Sequence, residues 1–158
     1  MKNPLKVGLG FGLTSGVITT LGMIIGLNAA TQSKTAVIGG ILTVALADAF
    51  SDALGIHITE ESTSSKNKFY LWQATLSTFA FKMLFALSFV LPFLFLDYHI
   101  AITASIVWAG LVIGVFSFII AKGRGEKPQE VIFEHLLVSF LVIVATQFAG
   151  GLIARFFS

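Results

Sequence analysis

The sequence predicts an all-α fold: a polytopic membrane protein with five transmembrane helices, forming a single transmembrane domain over residues 1–158. Hydrophobic residues make up 56% of the chain and charged ones 11%, with a mean hydropathy of +0.91; a soluble domain carries about a quarter charged residues. The apolar residues also run in blocks of roughly 20, long enough to cross a hydrocarbon core of about 30 Å at 1.5 Å per residue. The blocks show no period of two, which argues against the alternating strands of a membrane β-barrel.

Each span follows from an uncharged run. Residues 7–33 carry no charge, and 35–58 are interrupted only by Asp48, Asp52 and His57. The first run starts close to Met1 and far exceeds a signal-peptide core of about 7 to 15 residues, so it is expected to be a true span without a cleavable leader. Residues 69–96 carry one charge, Lys82, and the polar "DYH" separates them from 100–121. The fifth span, 130–156, follows "KGRGEKPQ". Lys2, Lys6, Lys66, Lys68, Lys122, Arg124 and Lys127 fall on one side, Lys34 and Arg155 on the other. The positive-inside bias then expects a cytoplasmic N-terminus and an external C-terminus, in the cell membrane of a prokaryote. These basic residues follow topology and form no aromatic-interleaved patch, so nucleic acid is not an expected partner. The partner that composition implies is the lipid bilayer.

Inside the spans, two patterns stand out. Gly8, Gly12 and Gly16 recur every four residues on the first helix, and Gly22 and Gly26 form a second small-xxx-small pair. Such faces let backbones approach closely. They suit packing within one chain, or a homodimer seam on a helix lined by Ser15, Thr19 and Met23. The second pattern is "ALADAFSDALGIH", residues 45–57. Asp48 and Asp52 are four apart, hence on one helix face. Counted inward from Ile58, Asp48 lies about 15 Å deep. An aspartate at a helix centre costs about 2.5–3.5 kcal/mol on insertion scales, so two require a partner, a proton or a water-filled cavity. Lys82, at similar depth on the third helix, can neutralise one of them as a charge partner and lock the bundle. One lysine cannot neutralise two, which leaves a cation or proton pathway as the other reading.

Other polar residues carry less. Glu60 and Glu61 end the second span as solvated charge or as an acidic entrance that concentrates cations. Glu130 and Glu134 follow Pro128 and suit the positive end of a helix dipole, or a cytoplasmic cation site with His135. His57 suits a ligand or an interfacial side chain, and His99 sits in its turn. The chain has no cysteine, so disulfides and thiolate metal sites are excluded. No HExxH arrangement, phosphate-binding glycine loop or nucleophile–base set is legible, so an enzyme is not expected.

The stretch "GLTSGVITTLGMIIGLNAAT", residues 12–31, resembles the first helix of the vacuolar iron transporter family through Gly12, Leu13, Gly16, Thr19, Thr20, Leu21, Gly22 and Gly26. "ADAFSDALGIHITEES" resembles its second helix through Ala47, Ala49, Ser51, Ala53 and Gly55, and "WQATLSTFAF" with "LPFL" its third. The resemblance implies five helices, a cytoplasmic N-terminus, a homodimer, and export of a divalent metal cation from the cytosol coupled to protons. Ser15 stands where the family has an aspartate, Asp52 where it has a methionine, and Ile56 where it has a glutamate. Only "EESTSSKNK" stands in place of the glutamate-rich cytoplasmic insertion of plant members. Two carboxylates with hydroxyls from Thr14, Ser15 or Thr19 form a hard oxygen site suited to Fe²⁺, Mn²⁺, Mg²⁺ or Ca²⁺. Carboxylates that converge repel, which lets protons compete with the metal. The competing expectation is a non-transporting membrane scaffold or regulatory protein whose ion site Lys82 has neutralised.

Overall fold

The computed structural model describes residues 3–63 and 67–157. Lys2 and Lys66, both counted above for orientation, lie outside the described residues, as does part of the "EESTSSKNK" connection. The described chain is helical, in six segments: α1 (Pro4–Thr31), α2 (Lys34–Thr63), α3 (Lys68–Ser88), α4 (Val90–Phe95), α5 (Tyr98–Arg124) and α6 (Pro128–Phe157). With α3 and α4 taken as one bent span, five helices are long and apolar enough to cross a membrane, as expected of an integral multi-pass membrane protein. Leucine, phenylalanine and valine side chains crowd the exposed faces of α2 to α6.

The helix ends are set locally. α1 stops at Thr31 because Gln32 turns left-handed at φ 47°, and its N–H still reaches the Asn28 carbonyl at 3.0 Å. Ser33 then accepts the Ala36 N–H at 3.2 Å and opens α2. No breaker follows Ile58, so α2 runs past its expected end, to Thr63. Asn67 caps α3 by accepting from the Phe69 and Tyr70 N–H groups at 3.0 and 3.4 Å. The bend after Ser88 has a covalent cause: Pro92 has no N–H to give the Ser88 carbonyl. α5 ends on Gly125, at φ 71°, where the Glu126 N–H returns to the Ala121 carbonyl at 3.0 Å. Pro128 starts α6 in the first helical position, where a missing N–H is harmless.

The chain divides into two compact units: residues 1–20 with 41–90, and residues 21–40 with 91–158. In the first, α1 packs on α3 through its glycines. A Cβ at Gly12 would lie 2.8 Å from the Thr78 carbonyl oxygen and 2.9 Å from the Lys82 nitrogen; one at Gly16 would lie 3.0 Å from the Lys82 carbonyl oxygen. Gly8 is closer still, against Ser77. In the second unit Gly22 meets Val142 and Thr146 of α6, and Gly150 of α6 sits against the Gly26 carbonyl. The buried face of α5, Ala101, Ser105, Ala109, Ile113, Ser117 and Ala121, repeats every four residues. Ser105 and Ser117 return their hydroxyl protons to the Ala101 and Ile113 carbonyls at 2.8 and 2.6 Å, so neither needs an outside acceptor.

The glycines therefore correct one expectation. Both glycine runs of α1 are occupied within the chain, so they supply no free seam for a homodimer through helix one. A mutation pair tests this. Gly12→Leu should force α1 from α3 against backbone atoms that cannot yield, at about 1–3 kcal/mol or more, and lower the melting temperature in detergent. Gly10→Leu, whose Cβ meets nothing within 4 Å, should leave melting unchanged. A dimer seam would show the reverse, with folding intact and only dimerisation lost.

Candidate functional site

The first unit gathers the charged residues of its spans into one cluster. At helical rise, Lys82 lies roughly 21 Å into α3 from Lys68, while Asp52 and Asp48 lie roughly 17 Å and roughly 23 Å back from Thr63, the end of α2. Because α2 and α3 are consecutive, both depths count from their shared connection. The ammonium therefore falls at a level between the two carboxylates. Close approach of α1 brings a fourth member, Ser15.

The hydrogen bonds fix each role. The Ser15 hydroxyl donates to Asp52 Oδ2 at 2.7 Å and accepts from Lys82 Nζ at 2.8 Å. Lys82 Nζ also donates to the same Asp52 Oδ2, and lies 2.5 Å from Asp48 Oδ2. That last contact is an ion pair by distance but not a hydrogen bond by direction: Asp48 Oδ2 is buried and has no hydrogen-bond partner. Three acceptors surround one ammonium, and Asp48 is the least well served. The Lys82 side chain is 1% exposed, Asp52 19% and Asp48 29%. The lysine is thus sealed behind carboxylates that remain partly open. Gly12 and Gly16 make the arrangement possible, since both lie against the Lys82 backbone.

Of the residues picked out from the sequence, Asp48, Asp52, Ser15 and Lys82 come together. Thr19, one turn from Ser15, is exposed and makes no hydrogen bond to the cluster. Met23 belongs to the second unit, where its sulfur lies against Gly40. Glu60 and Glu61 stand more than two turns beyond Asp52, about 12 Å or more along the helix. Glu60 there adjoins the Tyr70 hydroxyl. Among the described residues no three His, Cys, Asp or Glu side chains converge as a metal site, so the metal set expected from the sequence reduces to two carboxylates and a hydroxyl, all held by Lys82. His57 Nδ1 instead meets the Thr75 hydroxyl at 2.9 Å, and His135 Nδ1 the Ser117 hydroxyl at 2.7 Å.

Thr20 was not foreseen. It continues the Gly8, Gly12, Gly16 row, is fully buried, and its hydroxyl has no partner. The four-residue repeat was the available signal, since the next position on that face is Thr20. No protein-family model matches the chain, and neither a curated protein nor a solved structure matches it. A function for the chain has to be read from the cluster itself.

Proposed function

We propose that the chain is a membrane transporter for a small cation, with Asp48, Asp52 and Ser15 as its intramembrane site and Lys82 as the resident cation of the empty state. The carrying observation is the charge count: one sealed ammonium faces two carboxylates, both within ion-pair distance. A structural lock requires one carboxylate per lysine. The second adds about 2.5–3.5 kcal/mol of insertion cost without strengthening the lock. A cation arriving at the cluster meets the partly open carboxylates first and can displace the ammonium from them.

The donor set is hard oxygen, which suits protons and Mn²⁺, Fe²⁺, Mg²⁺ or Ca²⁺. Resemblance to the vacuolar iron transporters adds the finer reading: a divalent metal, iron or manganese, leaves the cytosol in exchange for protons, with the N-terminus cytoplasmic and the C-terminus outside. The homodimer that this resemblance implies would have to use surfaces other than the glycine faces of α1. A second reading has its own support. Lys82 is bonded to the cluster, and no third metal-ligating carboxylate or imidazole joins it among the described residues. Both features suit a non-transporting scaffold with a neutralised ion site.

Flux into proteoliposomes, with a panel of divalent ions and an imposed pH gradient, separates the two. The transporter should move at least one cation above protein-free liposomes, with proton counterflow. Absence of flux for every ion, in either gradient direction, would leave the scaffold.

A further inference from the structure

We propose that the groove between α2 and α3 binds an uncharged, hydroxyl-bearing acyl lipid of the monoacylglycerol kind, with His57 Nε2 accepting the hydrogen bond from its head group. The groove has a volume of about 420 Å³ and is walled by Phe50, Leu54, Trp72, Leu76 and Phe79. Phe50 and Phe79 close its deep end with their ring centroids 4.8 Å apart. Its polar side chains are His57 and Thr75.

The protonation pattern of that pair follows from Thr75. Its hydroxyl has one proton, which goes to the Leu71 carbonyl at 2.8 Å. Toward His57 Nδ1, 2.9 Å away, it can only accept. Nδ1 therefore carries the imidazole proton, and in the neutral ring Nε2 is left as a lone pair. No hydrogen-bond partner of Nε2 exists among the described residues, and the ring is held in place by Thr75 and by Trp72, whose centroid is 5.1 Å away. A fixed acceptor on an otherwise apolar wall selects a ligand with one donor and a hydrocarbon body.

Depth and charge narrow the class. At helical rise, His57 lies about 13 Å from the midpoint of Lys34–Thr63, and Trp72 about 14 Å from that of Lys68–Phe95. In helices centred in the bilayer both sit near the edge of the hydrocarbon, whose half-thickness is about 15 Å. Phe50 and Phe79 lie within about 4 Å of the same midpoints. The groove thus runs from head-group level into the acyl region, with its acceptor at the outer end. Glu60 and Glu61, one turn after His57, flank that end with negative charge, against one lysine, Lys68, a turn before Trp72. This balance disfavours phosphate and carboxylate head groups and leaves an uncharged hydroxyl.

Trp72 reports occupancy. The chain has two tryptophans, Trp72 and Trp108, so Trp108→Phe isolates the signal in phosphatidylcholine nanodiscs. Dibrominated monooleoylglycerol should quench Trp72 at roughly three- to tenfold lower mole fraction than dibrominated methyl oleate, which has the same chain without the donor. Dibrominated phosphatidate should quench no better than the ester. His57→Asn keeps a donor for Thr75 but lacks the Nε2 acceptor, and should erase the difference while leaving the ester curve unchanged; unaltered helicity and melting confirm that the variant is folded. Equal quenching by all three lipids, a preference for phosphatidate, or a monooleoylglycerol preference that survives in folded His57→Asn would each overturn the assignment.

Discussion

Lys82→Met should destabilise the protein more than any other single substitution in the cluster, lowering its melting temperature in detergent by the equivalent of about 3–5 kcal/mol, the loss measured when a buried ion pair is broken from one side. Methionine replaces most of the lysine stem against Gly12 and Gly16 but leaves Asp48 and Asp52 without their shared counter-charge and Ser15 without its donor. The loss should therefore be recoverable. Adding Asp48→Asn and Asp52→Asn to Lys82→Met removes the uncompensated charge and should restore most of the melting temperature. Cation binding offers a second route to rescue. With the ammonium gone, two carboxylates and a hydroxyl are open to a divalent ion, and saturation at 100 times Kd contributes about 2.7 kcal/mol. Mn²⁺ or Mg²⁺ should then raise the melting temperature of Lys82→Met more than that of the native chain. Rescue by the double asparagine but by no cation would leave only the scaffold reading.

The spans and the depth of the ionisable residues were legible because both depend on counting along the chain. Uncharged runs bound the helices, and distances from the α2–α3 connection place Lys82 between Asp52 and Asp48 in level. Rotation about the helix axis was not legible in the same way. The Gly8, Gly12, Gly16 row is equally a dimer seam or an internal contact until a neighbour is seen against it. That neighbour is the backbone of α3, and the contact aims Ser15 rather than Thr19 at Asp52. Hydroxyl spacing alone does not distinguish these two, one turn apart on the same helix. Met23 was grouped with Ser15 and Thr19 by the same spacing, yet its sulfur packs on Gly40, past the point where α1 changes unit. The last turns of α2 were missed for a simpler reason. Glu60, Glu61, Ser62 and Thr63 are polar but contain no breaker, and Ser62 and Thr63 return their hydroxyls to the Thr59 carbonyl at 2.9 and 2.8 Å. Polarity ended the hydrophobic run before the helix ended.

Replacing the aspartates one at a time should separate charge needed for folding from charge needed for transport, because the two carboxylates are held unequally. Asp52 Oδ2 accepts from both Ser15 and Lys82, so Asp52→Asn weakens two hydrogen bonds to a charged group, each worth about 1.5–3 kcal/mol at most. The asparagine carbonyl can keep part of both, and melting should fall but not collapse. Asp48 Oδ2 has an ion contact without a hydrogen bond and is the more exposed of the pair. Asp48→Asn leaves Lys82 facing one carboxylate and one hydroxyl, a balanced cluster, so melting should be unchanged or raised. Flux should respond differently. A divalent ion stripped of water needs both charges in its place, so each asparagine should abolish transport, including the Asp48 variant that folds at least as well as the native chain. A folded Asp48→Asn protein that still transports at the native rate would remove the excess carboxylate from the mechanism, and with it the charge count on which the transporter reading stands.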